Sequence, residues 1–434
     1  MIRFVLATAT ITTLCVSALW GLRGTSDAPE AFASALAANN GPASRAAAEP
    51  SPSPALQALD ARIEATRRAA DRRDDDWMNL EVLAKLYVQR GRMTGDWADY
   101  RRAEEALDEA FARAPDGLGP HLTRATLAYS MHRLDAAAQD VARVEGYALR
   151  MPETTRIARS LRADIAFHRG RYAEAASGYA ENLEELRDPA ALVASAQWAW
   201  KTGDFEDAEA LLQEAASLAE GPSTSAWVSL VRGLYALDRG RYEDALSHYR
   251  AGLRSTPDSW LLQEHAAEVL QLLGHDEEAR VAYVELVERT GSPEFMDALA
   301  GIHRDRGETE EAQRWVARAR AGWEDRLAMF PEAAYGHALD HWLDFEDDTE
   351  RAVSIARANA QARPGGEAQV KLAQAQLAAD RLDEAAETLA GVLETPWRTA
   401  DLHAVACETY AALGDVTRAA KHRAAALAMN PHAF

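Results

Sequence analysis

The segment YGHALDHWLDFEDD, at residues 335–348, concentrates side chains that could bind a metal ion. His337 and His341 are four residues apart, and Asp344 follows three residues later. On an α-helix this spacing places the three side chains on one face. Two neutral imidazoles and a carboxylate could bind a divalent transition metal, with Asp340 or a side chain from a neighbouring element completing the ligand set.

Three interpretations of this segment stay open from the sequence. Histidine pairs at this spacing arise on helices by chance, and the glutamate of the metalloprotease motif does not stand between them. The same stripe could instead contact a polar partner, or it could be purely structural. Apart from this divalent transition metal, the sequence suggests no cofactor.

No residue pattern indicates an enzyme. The sequence contains no Gly-rich phosphate loop and no G-x-S-x-G nucleophile elbow. Cys407 is predicted to be a small buried packing residue rather than a nucleophile. The acidic runs at 72–76 and 345–348 are typical of helix caps and solvated surfaces. We therefore expect no catalytic activity.

Charge and composition narrow the class of partner. The chain has 434 residues, of which 48% are apolar and 26% charged, so it can bury a sizeable core. Its formal net charge of -21 should repel phosphate backbones, and we expect no nucleic-acid partner. Arginine greatly outnumbers lysine and alanine is abundant, which is typical of a bacterium with a GC-rich genome.

The amino terminus looks like a targeting segment. After Arg3, residues 4–22 carry no charge, so we interpret residues 1–23 as either a signal anchor or a cleaved signal peptide. Residues 24–54 are rich in Ala, Ser and Pro and predict a disordered linker. We expect the protein in the cell envelope of a bacterium, either anchored in the inner membrane and facing the periplasm or secreted to the periplasm. It would contact the membrane only through an uncleaved amino-terminal segment.

The rest of the chain is a repeat array. RGRYAEAA at 169–176 returns as RGRYEDAL at 239–246, and ADRLDEAA at 379–386 has the same form. The central alanine of these octets recurs ten times, at separations of 33 to 40 residues: Ala103, Ala137, Ala175, Ala208, Ala245, Ala279, Ala312, Ala352, Ala385 and Ala419. A second small residue lies twelve positions earlier in nearly every repeat, which lets two antiparallel helices approach closely. A glycine between the two small residues predicts the turn.

This pattern strongly resembles the tetratricopeptide repeat, in ten units over residues 77–434. The resemblance implies an all-α fold, a right-handed superhelical solenoid of helix-turn-helix units, and residues 55–76 predict an amino-terminal capping helix. The eighth unit departs from the pattern because Asp340 stands at its small position. We expect a His or Arg of the second helix to pair with that carboxylate.

The resemblance also implies a binding scaffold whose first helices line a concave groove for a peptide or helical segment of another protein. The family's groove-facing positions in units four and five hold Val193, Gln197, Trp200, Trp227, Leu230, Leu234 and Leu237. An exposed apolar stripe there would suit an amphipathic helix. The alternative is that superhelical packing buries these side chains between units. His265, which lies between two glutamates, is expected to be a surface or partner-contact residue.

Two functions follow as expectations. The first is an exported or membrane-tethered scaffold that binds a peptide or helical segment of another protein in its groove. The second is a metal-binding or metal-trafficking accessory protein on the same solenoid, with His337, His341 and Asp344 as ligands. The sequence does not identify the partner or the oligomeric state.

Overall fold

Helices make up the regular structure of residues 53–149 and 151–434, which are the residues that this computed structural model describes. Within them the chain forms twenty-one α-helices and no strand. The helices are α1 (Pro54–Ala70), α2 (Trp77–Thr94), α3 (Ala98–Arg113), α4 (His121–Ser130), α5 (Leu134–Glu145), α6 (Pro152–His168), α7 (Tyr172–Glu185), α8 (Pro189–Lys201), α9 (Phe205–Leu218), α10 (Pro222–Asp238), α11 (Tyr242–Ser255), α12 (Trp260–Leu272), α13 (Asp276–Thr290), α14 (Pro293–Asp305), α15 (Thr309–Met329), α16 (Pro331–Asp344), α17 (Thr349–Ala362), α18 (Gly366–Ala378), α19 (Leu382–Leu393), α20 (Ala400–Ala412) and α21 (Val416–Met429).

The helices pack in consecutive pairs. α2 and α3 form the first pair, α20 and α21 form the last, and each pair also contacts the next one along the chain. Even-numbered helices from α2 onward are therefore the first helices of the units, and odd-numbered helices from α3 onward are the second helices. The predicted all-α helical solenoid is confirmed.

Most of the first helices end at a residue in the left-handed conformation. In the fifth unit Gly240 has a φ of 68°, which glycine adopts without steric cost. The chain turns back there because the N–H of Arg241 donates to the carbonyl of Ala236 at 2.8 Å. His132 and Asp380 adopt the same conformation, with φ of 57° and 56°, so the turn also forms in two units without glycine.

Small residues let the two helices of a unit touch. A Cβ on Gly178 of α7 would lie 2.8 Å from the Cβ of Ala163 on α6. In the fifth unit a Cβ on Gly233 would overlap the ring of Tyr249, which is fully buried. The recurring small residues of the sequence thus mark the crossing points of paired helices.

The superhelix packs its later units against its earlier ones. Contacts between the two turns repeat about six units apart and involve both backbone and side chains. They include Trp260 Nε1 to Arg92 O at 2.6 Å, His132 Nδ1 to Glu332 O at 3.2 Å, Gly365 N to His168 O at 2.8 Å, Arg398 N to Lys201 O at 2.8 Å, and the stacked rings of Tyr242 and His432 at 4.8 Å. The inward surface of the solenoid is therefore closed over by the chain itself.

Helix α1 covers the first pair. Leu59 and Ile63 are buried in a cluster with residues of α2 and α3, and α1 ends at Ala70, within the range predicted for the capping helix. The predicted signal segment and nearly all of the predicted linker lie outside the described residues. No helix in the part of the chain that the structure describes has the length and apolar character needed to cross a membrane.

We predict that Gly233→Ala lowers the free energy of unfolding by about 1 to 3 kcal/mol, because the added methyl group forces the buried Tyr249 ring to move. The matched control is Gly391→Ala on α19, where a Cβ would meet no atom within 4 Å and should stabilise the helix by about 0.5 kcal/mol. Urea unfolding followed by circular dichroism measures both. Equal effects of the two substitutions would contradict the packing argument.

Candidate functional site

The residues predicted to line the groove are buried. Val193, Trp200, Trp227, Leu230, Leu234 and Leu237 are each at most 7% exposed, and Gln197 is half-buried. The six apolar residues belong to one hydrophobic cluster that joins α8, α10 and their neighbours α9, α11 and α12. The predicted exposed apolar stripe is therefore wrong. Neighbouring units cover these side chains, so they stabilise the core and offer no free surface.

The three predicted metal ligands do not meet at one centre. His337 Nδ1 lies 3.1 Å from Glu294 Oε1, whereas His341 Nδ1 lies 2.7 Å from Asp297 Oδ1. The two imidazoles of α16 thus face two different carboxylates of α14. Asp344 joins neither pair, and burial, followed by the nearby Asp340, raises the pKa of its carboxyl to about 7.

These pairs form a polar seam between the seventh and eighth units. Burial lowers the pKa of His337, but the Glu294 carboxylate outweighs it, and the net direction is upward. Asp297 also accepts a hydrogen bond from Trp323 Nε1 at 2.7 Å, while burial raises the pKa of its carboxyl. Each histidine thus has a carboxylate partner at its Nδ1 atom, although His341 Nε2 is buried without a hydrogen-bond partner among the described residues.

Asp340 is paired, but not as expected. Lys371 Nζ lies 2.6 Å from Asp340 Oδ1, and Lys371 belongs to α18, the first helix of the ninth unit. The expectation of a His or Arg from the second helix was wrong because first helices of neighbouring units meet on the inward side. Lys371 is 4% exposed, so this ion pair is enclosed.

Other charged residues are also buried on the inward side of the superhelix. Burial would raise the pKa of Glu367, but Arg363, His168 and other cations outweigh it, and the pKa is lowered. Asp164 has one hydrogen-bond donor, the hydroxyl of Tyr179 at 2.9 Å, and burial raises the pKa of its carboxyl to about 7. The inward side of the superhelix is thus a network of buried acids and bases rather than an open peptide groove.

The sixth unit holds an acidic pair around a histidine. His265 Nδ1 lies 3.2 Å from Glu264 Oε2 and 3.1 Å from Glu268 Oε2. His265 is 2% exposed, so its predicted surface position is wrong. In the part of the chain that the structure describes, this is the one group of three or more His, Cys, Asp or Glu residues whose ligand atoms come within 4.8 Å of one another. In the sequence this group stands as EHAAE at residues 264–268.

An open cleft lies on the outer surface, between α9 and the end of α21. Its volume is about 620 Å³, and it is lined by Phe205, Glu206, Glu209, Ala210, Gln213, Tyr235, Arg239, Arg241, Ala428, Met429 and Pro431. The two walls come from units far apart in the sequence. Sequence reasoning therefore missed this cleft, although Arg239 and Arg241 belong to one of the repeated octets.

Two guanidinium groups in this cleft rest on aromatic rings. The Arg239 guanidinium lies 3.8 Å from the centre of the Phe205 ring, and Arg241 lies 5.2 Å from the centre of the Tyr235 ring. Arg241 also pairs with Glu209 at 3.1 Å. One nitrogen of each guanidinium, Nη1 of Arg239 and Nε of Arg241, is buried without a hydrogen-bond partner among the described residues. The cleft therefore places two ring-supported guanidinium groups beside apolar surface.

Comparison with known proteins gives one family match. Residues 122–191, 193–259 and 230–295 match the family model of the tetratricopeptide repeat. No curated protein matches the sequence.

Solved structures that resemble this chain include those of three different proteins. The Cut9-Hcn1 hetero-tetramer of APC/C is 14% identical, covers 82% of this chain and 74% of that chain, and has a TM-score of 0.40. The human IFIT1 dimer with m7Gppp-AAAA is 14% identical, with 85% and 94% covered and a TM-score of 0.40. Pseudomonas aeruginosa pilF is 16% identical, with 52% and 98% covered and a TM-score of 0.36. With identities and TM-scores this low, none of these likenesses carries a functional argument.

We predict that Asp164→Asn makes stability less dependent on pH. The pKa of Asp164 is raised in the folded state, so its contribution is complete below the ordinary carboxyl pKa and is lost as the pH rises through about 7. Between pH 5.5 and 8.5 the wild-type protein should lose about 2 kcal/mol of stability relative to the Asn variant. Urea unfolding at several pH values measures this difference. Asp116→Asn, which removes an exposed carboxyl, controls for the change in net charge, and a pH-independent difference for Asp164→Asn would refute the prediction.

Proposed function

We propose that this chain, which contains tetratricopeptide repeats, is a protein-interaction scaffold whose partner binds on the outer surface, in the cleft between α9 and the end of α21. The inward positions that would line an open groove are buried. The cleft, at about 620 Å³, lies within the size range of about 300–1,000 Å³ that is usual for binding pockets. The observation that carries the proposal is the pair of ring-supported arginines that line the cleft.

The chemistry of the cleft favours a carboxylate ligand. Arg239 lines the cleft, and its stacking on Phe205 holds the guanidinium plane in place. A planar guanidinium that is already oriented binds a carboxylate through two parallel hydrogen bonds at low entropic cost. We propose that the partner segment places an Asp or Glu side chain, or a terminal carboxylate, against Arg239.

The other residues of the cleft indicate which further residue types the partner segment should contain. Ala210, Ala428, Met429 and Pro431 supply apolar contact area beside the arginines. Glu206 and Glu209 add negative charge at the same cleft. A partner segment with an acidic, an apolar and a basic residue close together would match the arginines, the apolar lining and the glutamates of the cleft, respectively. A uniformly acidic tail would be repelled by the glutamates.

The cellular location is part of the proposal. Residues 1–23 and the Ala/Ser/Pro-rich residues 24–54 support export to the cell envelope, either tethered by the first segment or released after cleavage. The repeat units would then be presented to a partner in the periplasm. In this proposal the protein acts by binding and needs no catalytic group.

We predict that a photo-reactive residue at Gln213 cross-links one partner in native cell envelopes. Gln213 is exposed and lines the cleft. Adding Arg239→Ala should reduce the cross-linked product at least tenfold, because the carboxylate loses its bidentate donor. Mass spectrometry of the cross-linked peptide identifies the segment and shows whether it carries a carboxylate.

The matched control is Arg318→Ala. Arg318 also stacks on an aromatic ring, at 4.3 Å from the centre of Trp315, but it does not line the cleft. This variant should leave the Gln213 product unchanged. If both arginine variants lower the product equally, or neither does, the partner does not bind through Arg239.

We also predict that residues 1–54, fused to alkaline phosphatase, give an active enzyme outside the cytoplasm. A charge in the apolar run, Leu14→Arg, should abolish that activity, because the segment no longer partitions into the membrane. Fractionation then separates a membrane-tethered product from a released one. An inactive phosphatase in the unsubstituted fusion would refute export.

A further inference from the structure

The sixth unit places three potential metal ligands on the inward side of α12. Glu264 and His265 are 7% and 2% exposed, and the Glu268 side chain is 15% exposed. Their ligand atoms all come within 4.8 Å of one another. We infer that these three residues bind a divalent transition metal ion inside the superhelix. This inference does not depend on the outer cleft.

The distances suit a bound ion. His265 Nδ1 is 3.2 Å from Glu264 Oε2 and 3.1 Å from Glu268 Oε2. Ligands of a tetrahedral zinc site, each about 2.1 Å from the metal, are about 3.4 Å apart. The two distances from Nδ1 are therefore within a few tenths of an ångström of those in a zinc site, and the two carboxylate oxygens lie within 4.8 Å of each other.

One carboxylate oxygen of the cluster has no hydrogen-bond partner in the described part of the chain and could bind a metal ion. Glu264 Oε2 is buried and has no hydrogen-bond partner among the described residues. It points into the cluster, because it is the oxygen that lies nearest to His265 Nδ1. A buried carboxylate without a donor is costly, and a cation at the centre of the cluster removes that cost.

The negative charge of the Glu264, His265 and Glu268 cluster also favours the binding of a cation. The charged groups that act on Glu264 are Glu268 and Glu294, both of which are carboxylates. Two carboxylates and a neutral imidazole match the charge of a divalent ion. At the seam between α14 and α16, by contrast, each histidine already faces a carboxylate of its own, so the same logic does not apply there.

The imidazole is held in position before any ion arrives. The ring of Tyr249 stacks on His265 with 5.4 Å between ring centres and 22° between planes, and Tyr249 is fully buried. A fixed ring orientation lowers the cost of binding. Access is through Glu268, whose side chain is 15% exposed, the largest exposed fraction in the cluster.

The mixed ligand set favours a transition metal over calcium or magnesium. Imidazole nitrogen suits zinc, iron, cobalt and nickel, whereas calcium and magnesium prefer oxygen ligands alone. A water molecule or the neighbouring Glu294 could supply a fourth ligand. We use Zn²⁺ as the binding probe and Co²⁺ as the spectroscopic probe.

The experiment titrates Zn²⁺ into the full-length protein after removal of metal with a chelator. We expect one high-affinity ion per chain by calorimetry, and Co²⁺ loading should give the intense visible bands of a four-coordinate site. Substituting His265→Gln or Glu268→Gln should weaken binding at least tenfold and abolish those bands. The absence of a one-to-one Zn²⁺ complex in the unsubstituted protein would overturn the inference, and would mean that a proton bridges the cluster instead.

The matched control is His275→Gln, which removes an exposed histidine of the same unit, next to Glu278. It should leave Zn²⁺ affinity unchanged. Glu268→Asp keeps the charge but withdraws the oxygen from the centre, so a weakened but folded variant would support the site even if the Gln variants fail to fold. Equal affinity in wild type, His265→Gln and Glu268→Asp would place bound metal elsewhere and overturn the assignment.

Discussion

The packing of the second superhelical turn on the first is the constraint on which the rest of the structure depends. The backbone N–H groups of Gly365 and Arg398 donate to the carbonyls of His168 and Lys201, in units far apart in the chain. Once these turns meet, water no longer reaches most inward side chains. Each inward polar group must then find a protein partner, change its protonation, or hold a ligand.

The buried charged residues are accommodated in the protein interior in different ways. Asp340 pairs with Lys371, and His341 pairs with Asp297, so each of these groups has a partner inside the protein. Asp164 has a single hydroxyl donor, and its raised pKa shows that it tends toward the neutral form. Burial, followed by the carboxylates of Glu268 and Glu294, also raises the pKa of Glu264 well above its usual value, and its Oε2 atom has no hydrogen-bond partner among the described residues.

The fold could be predicted from the sequence because its signals are local. Two small residues and a turn per repeat give a helix pair, and Ala103 through Ala419 mark the pairs without reference to the rest of the molecule. The burial of Trp227 and Leu234 could not be predicted in the same way, since it depends on the pitch of the superhelix. Likewise, the pairing of His337 with Glu294 depends on which face of α14 meets α16. The sequence showed that these residues share an inward face, but not what lies opposite.

The repeated octet shows how one local sequence acquires different roles. In RGRYAEAA the first arginine, Arg169, forms an ion pair with Asp135 of the preceding second helix, and its donors are used within the array. In RGRYEDAL the equivalent Arg239 meets Phe205, the first residue of its preceding second helix, and stacks on the ring instead. The turn geometry is the same in both units, because Gly170 and Gly240 have nearly equal φ values. The two arginines therefore differ in the side chain that each one meets on the preceding second helix. In the proposed function Arg239, which is supported by an aromatic ring, contacts the partner, so the repeat would provide a binding residue without any change in its own backbone.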